Sequence, residues 1–89
     1  MRAERTVLIT NRRGLHARAS AKFVTLASTQ SVEIAVAKDG QAVTGTSIMG
    51  LMMLGAAMGD TITISAEGDG AEAAVGALTE LVEAKFGED

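Results

Sequence analysis

Ser31-Val32-Glu33-Ile34-Ala35-Val36-Ala37-Lys38-Asp39-Gly40-Gln41-Ala42-Val43-Thr44 decides the fold. Val32, Ile34 and Val36 alternate with Glu33 and Ala35, so Ser31 to Ala37 reads as a strand with one face toward a core. Asp39-Gly40 is a hairpin signal, because a two-residue type I′ turn needs positive φ at both central positions. Gln41 to Thr44 then pairs back as the next strand. The centre of the chain is therefore an antiparallel pair, and what flanks it must be placed around that pair.

Upstream, Arg5 to Thr10 reads as a strand, with Val7 and Ile9 on one face. Asn11 to Gly14 is a turn. A helix is expected from Ala17 to Ala27, with Ala17, Ala21, Val24 and Ala27 as its apolar stripe. Ala19, Phe23 and Leu26 widen that stripe, and Arg18, Lys22 and Thr25 take the polar side. Downstream, Gly45-Thr46-Ser47 introduces a short helix over Ile48 to about Leu54, with Ser47 as N-cap and Gly55 as the stop. Asp60 to Glu67 is a fourth strand, with Ile62, Ile64 and Ala66 on one face. After Gly68-Asp69-Gly70, a third helix is expected from Ala71 to Phe86. Ala74, Val75, Leu78, Leu81 and Val82 make its buried stripe, while Glu72, Thr79, Glu80 and Glu83 face water. The order β-α-β-β-α-β-α makes an α+β fold: a four-stranded antiparallel sheet with three helices on one face. No linker or repeat interrupts it, so residues 1–89 are read as a single domain.

The 47% hydrophobic content of these 89 residues opposes disorder, while 2% aromatics leave the core to aliphatic side chains. One histidine and no cysteine argue against a metal site or a disulfide framework. No apolar run approaches a signal peptide or membrane span, so a soluble, cytoplasmic protein is expected. The net charge of −3 argues against nucleic-acid binding. Five bases (Arg2, Arg5, Arg12, Arg13 and Arg18) lie in the first 18 residues, whereas eight acids and only Lys85 as a base follow from Asp60 on. Such asymmetry would help orient a charged partner, and a solvated mixed surface would show the same charges.

His16 is the only histidine, and it sits where the turn meets the first helix. Unpaired N–H groups and the positive end of the helix dipole make an anion site there. Arg18, in the same first turn, offers a charge-assisted hydrogen bond. Imidazole is a competent covalent phosphoryl acceptor. A polar residue merely starting a helix would look the same by spacing alone.

Gly14-Leu15-His16-Ala17-Arg18-Ala19-Ser20 resembles the active-site signature of the HPr family, the small histidine phosphocarriers of the bacterial phosphoenolpyruvate-dependent phosphotransferase system (PTS). Ser47-Ile48-Met49-Gly50-Leu51-Met52, followed by Leu54-Gly55, resembles the regulatory-serine helix of the same family. Ile62 to Ala66 is similar to its fourth strand, and the likeness covers nearly the whole chain. The resemblance implies an open-faced HPr-like sandwich that is a phosphocarrier, not an enzyme in its own right, and needs no cofactor. Enzyme I, charged by phosphoenolpyruvate, would phosphorylate Nδ1 of His16, with Arg18 steadying the group. A histidine of a IIA protein or domain would then receive it. The resemblance also implies phosphorylation of Ser47 by an HPr kinase/phosphorylase, and a docking face on the first two helices: Ala19, Ser20, Ile48, Met49, Leu51 and Met52. A monomer is expected.

The chain departs from the family pattern at Ala19, where proline is usual, at Thr46, where many relatives have lysine, and at Met53, which is often serine. Alanine restores a backbone donor in the first helical turn, so altered phosphoryl stability or transfer rate is expected, not lost function. A competing reading makes the chain a regulatory binding module acting through Ser47, Met49 and Met52, with little phosphoryl flux. An independent enzyme fits poorly, because few other acids, bases or nucleophiles accompany His16.

Overall fold

A computed structural model describes residues 1–88. The central hairpin forms, but its first strand starts at Ile34 and not at Ser31: Ile34–Lys38 (β2) pairs with Gln41–Thr44 (β3), Lys38 opposite Gln41. Asp39 and Gly40 take φ of 50° and 82°, the paired positive values of a type I′ turn. Around the hairpin lie Arg2–Leu8 (β1), Ala17–Ala27 (α1), Ile48–Met53 (α2), Thr61–Glu67 (β4) and Ala71–Glu83 (α3). The four strands make one antiparallel sheet in the order β1-β4-β2-β3, with the three helices packed on one face. Each half is a split β-α-β unit, since β4 inserts between β1 and β2.

Period-two alternation places the core. Val7, Ile34, Val36, Ile62, Ile64 and Ala66 are buried on the helix side of the sheet. Thr6 and Thr63 pair on the opposite face, with their hydroxyls 3.1 Å apart. Phe23 of α1 and Leu78 and Val82 of α3 close the core from above. Each such fully buried side chain contributes about 1.5–3 kcal/mol.

Three expectations need correction. The buried residues of α1 are Ala19, Ser20, Phe23 and Ala27, and Ala17 is exposed. The stripe is thus rotated, because Phe23, the largest side chain of the helix, sets which side faces the sheet. Thr79 is only 4% exposed, and its hydroxyl has no partner among the described residues. It follows Leu78 in α3, and both are buried. Finally, α3 stops at Glu83 and does not reach Phe86. Lys85 and Phe86 take φ of 57° and 56°, a left-handed step inside a 3₁₀ turn over Lys85–Gly87. That step costs roughly 1–2 kcal/mol per non-glycine residue. Phe86, 1% exposed, offsets it by entering the core. The chain is thereby turned back toward the start of α1.

Candidate functional site

His16 is the N-cap of α1, with extended backbone (φ −73°, ψ −179°). Its Nδ1 accepts a hydrogen bond from the Arg18 N–H at 3.3 Å. The imidazole thus does what a serine or aspartate side chain does at most helix starts. The ring lies on the positive end of an 11-residue helix, with its own carbonyl accepting from Ser20 N–H at 2.9 Å.

The turn before it is held from three sides. Gly14 has φ +61°, and a Cβ there would stand 2.3 Å from the Ala56 carbonyl oxygen, so only glycine fits. The close approach lets Leu15 N–H donate to that carbonyl at 2.9 Å. The His16 turn is in this way tied to the segment between α2 and β4. Ser20, buried in α1, donates to the Leu15 carbonyl at 3.1 Å.

The third side is long-range. Glu88 Oε2 lies 2.5 Å from His16 Nε2, and Glu88 Oε1 accepts from Asn11 Nδ2 at 3.0 Å. Asn11 is fully buried and spends its other Nδ2 hydrogen on the Gly14 carbonyl at 2.9 Å. Two oxygen partners fix the orientation of that amide, and Asn11 Oδ1 is left without a partner among the described residues. The Asn11 amide beside Glu88 is the main reason its carboxyl is held below the usual range, with the His16 hydrogen bond and the Lys22 charge adding to the effect against partial burial. Lys22 Nζ donates to the Phe86 carbonyl at 2.7 Å and pins the segment that carries Glu88. The histidine and glutamate side chains are 14% and 17% exposed.

The sequence-predicted residues separate into three groups. His16 and Arg18 come together at the helix start; the Arg18 side chain is exposed and makes no hydrogen bond or ion pair among the described residues. Ser47 is the N-cap of α2, its Oγ accepting from Gly50 N–H at 2.9 Å. Of the expected docking residues, Ile48, Met49 and Met52 are 40%, 70% and 42% exposed. Ala19, Ser20 and Leu51 are completely buried, which corrects their assignment to a contact surface: all three face the core from α1 and α2. Met53 and Met58, not expected there, extend the exposed apolar surface. Asn11 and Glu88 were missed as site residues. Asn11 carries only a turn signal, and nothing local links Glu88 to a residue 72 positions away. Among the described residues, no cluster of acids or histidine suits a metal ion, and no helix is long and apolar enough to cross a membrane.

A single imidazole caps the start of α1, with Nδ1 facing the Arg18 N–H and a carboxylate at Nε2, an arrangement able to hold a covalently attached group. A family profile described as "PTS HPr component phosphorylation site" matches residues 3–84. A phosphocarrier protein NPr of Shewanella violacea is 45% identical over 85 residues, covering 96% of this chain and 93% of that protein. A phosphocarrier protein HPr of Neisseria meningitidis is 46% identical over 85 residues, covering 96% of each. The crystal structure of HPr-C-His from Thermoanaerobacter tengcongensis superposes with a TM-score of 0.92 at 49% identity, over 98% of both chains. The chain belongs to the HPr phosphocarrier family of the PTS. It is a phosphotransfer relay protein, not a conventional enzyme.

Proposed function

We propose that His16 is the phosphoryl acceptor, taking the group on Nδ1 from enzyme I and passing it to a histidine of a IIA protein or domain. One observation carries this reading: Nδ1 of the only histidine faces the Arg18 N–H in the first turn of α1. A phosphoryl group on Nδ1 would inherit that donor and the helix dipole. The exposed Arg18 guanidinium is free to fold over its oxygens. Ile48, Met49 and Met52, with Met53 and Met58, offer partners an adaptable apolar face. In this reading the protein is one domain that works as a cytoplasmic monomer alongside its soluble partners.

A second reading rests on Ser47. Its hydroxyl is half-buried at the start of a helix whose outer face is apolar. Phosphorylation there by an HPr kinase/phosphorylase would place a dianion within the docking face and repel an acidic partner. The chain would then serve chiefly as a regulatory binding module.

The deciding experiment mixes the protein with cognate enzyme I, phosphoenolpyruvate and magnesium, and follows intact mass beside His16→Ala. The carrier reading expects one acid-labile phosphoryl group on the wild type and none on the variant. No gain with an active enzyme I leaves the binding-module reading.

A further inference from the structure

We propose that the groove between α1 and α3 binds a small amphipathic anion, a carboxylate head on an unbranched apolar tail, with the head at Arg18 and the tail against Leu26 and Leu81.

The groove has a volume of about 470 Å³, within the roughly 300–1,000 Å³ of small-molecule sites. Its apolar walls are Ala21 and Leu26 of α1 and Leu81 of α3, all half-buried. Thr25 and Thr29 also line it, but their hydroxyls are spent on backbone carbonyls. Thr25 Oγ1 donates to Ala21 at 3.0 Å, and Thr29 Oγ1 donates to Leu26 at 2.7 Å. This stretch therefore offers a ligand no free hydroxyl donor, and it suits a tail without polar groups.

The charges lie at one end. Arg18 and Lys22 line the groove, and no carboxylate does. Lys22 Nζ already donates to the Phe86 carbonyl, whereas the Arg18 guanidinium has no partner among the described residues. Two concave regions around Arg2 differ in this respect. Glutamates line both, and Arg2 is paired with Glu4 and Glu67. In a chain of net charge −3, an uncompensated guanidinium beside an apolar groove selects an anion with an apolar body. Arg18, Lys22 and Leu26 follow one another on successive turns of α1. The head and the far end of the tail are thus about 12 Å apart, which calls for an extended chain.

Arg18 follows His16 by two residues, so the bound head and a phosphoryl group on His16 would draw on one guanidinium. Occupancy should therefore slow phosphorylation. That consequence, unlike the binding itself, rests on His16 being the acceptor.

The test titrates the full chain with octanoate, octanol or acetate, and follows the methyl signals of Leu26 and Leu81 and the Arg18 side-chain N–H by NMR. Octanoate should shift all three saturably, with half-saturation at about 1 mM, the scale of so small a ligand. Octanol should bind about tenfold more weakly, for want of the charge-assisted bond. Acetate should leave both leucines unmoved. Arg18→Gln should lower octanoate to the affinity of octanol, and Leu81→Gln should weaken it by about tenfold. Saturating octanoate should slow acceptance from phosphoramidate, a donor that needs no docking, severalfold in the wild type. No saturable shift at the leucines overturns the proposal. So do equal affinities for octanoate and octanol, or Arg18 shifts that acetate reproduces in full. Broadening of the leucine signals that grows with protein concentration alone would assign the groove to a second copy of the chain, and also overturns it. If octanoate binds while the phosphoramidate rate is unchanged, the head does not lie at Arg18 and the placement fails. If the wild type accepts no phosphoryl group, the acceptor reading fails, and the titrations still decide the groove.

Discussion

Two helix starts in this molecule are capped by side chains, and they are built in opposite ways. At α2 the cap is entirely local: Ser47 Oγ accepts from Gly50 N–H three residues on. At α1 the cap is His16, and its orientation depends on residues 72 positions away for Glu88 and on the Ala56 carbonyl, reached through Gly14. A serine cap satisfies a backbone donor and asks nothing of the fold. A histidine cap must present one chosen nitrogen, so the fold has to grip its other side. The reactive helix start is therefore the one tied to distant chain, and the two ends should respond differently to perturbation.

The largest contrast is expected at glycine. Gly14→Ala forces a Cβ onto the Ala56 carbonyl at a φ of +61°. It should destabilise the protein by about 2–4 kcal/mol and lower Tm by about 10–20 °C. At the other helix, a Cβ on Gly50 meets Ser47 Oγ at 3.0 Å and a Val43 side-chain carbon at 3.1 Å. Helix propensity offsets about 1 kcal/mol of that crowding, so Gly50→Ala should cost less than half as much as Gly14→Ala. Thermal melts of the two variants check the ranking. Equal losses would mean that the Ala56 contact does not anchor the His16 turn.

Ser47 gives a smaller effect. Ser47→Ala leaves Gly50 N–H without its partner and should cost about 1 kcal/mol, lowering Tm by about 4–8 °C. Acceptance from phosphoramidate at His16 should be unchanged, because the two caps share no residue. Ser47→Asp keeps a capping oxygen and should restore stability to within a few tenths of a kcal/mol. A fall in the phosphoramidate rate of Ser47→Ala would show that the two helix starts are coupled.

The same contrast explains what the sequence could be made to say. The hairpin was legible because Asp39-Gly40 and period-two alternation are local signals, and both appear in the structure with Asp39 and Gly40 at positive φ. Ser47 as a cap was legible for the same reason. The end of α3 was not. Phe86 falls four residues after Val82, so the helical stripe continues on paper while the backbone turns left-handed to bury the ring. Ala19 was legible as part of the apolar stripe of α1, whereas the burial of Ser20 was not, because a motif locates residues in sequence without saying which way a helix is rotated. Asn11 read as a turn residue and is one, yet its amide also holds Glu88, a role that only the closed fold creates.

Acid should separate the two ends with the least effect on the whole. Glu88 titrates below the ordinary carboxylate range of about 4.5, chiefly because Asn11 donates to it and then because of His16. A carboxyl with a depressed folded pKa contributes stability that is fully present above its unfolded value and is lost as pH falls through the folded one. From pH 7 down to the folded value the Glu88 contact should therefore hold. Below the folded value it should release, and the His16 Nε2–H resonance should broaden while the Gly50 amide, bonded to a hydroxyl that does not titrate in this range, stays protected. Glu88→Gln should flatten this acid-dependent loss without moving the Gly50 signal. If both signals instead disappear together at one pH, the molecule unfolds globally before Glu88 lets go, and the long-range cap is no weaker in acid than the local one.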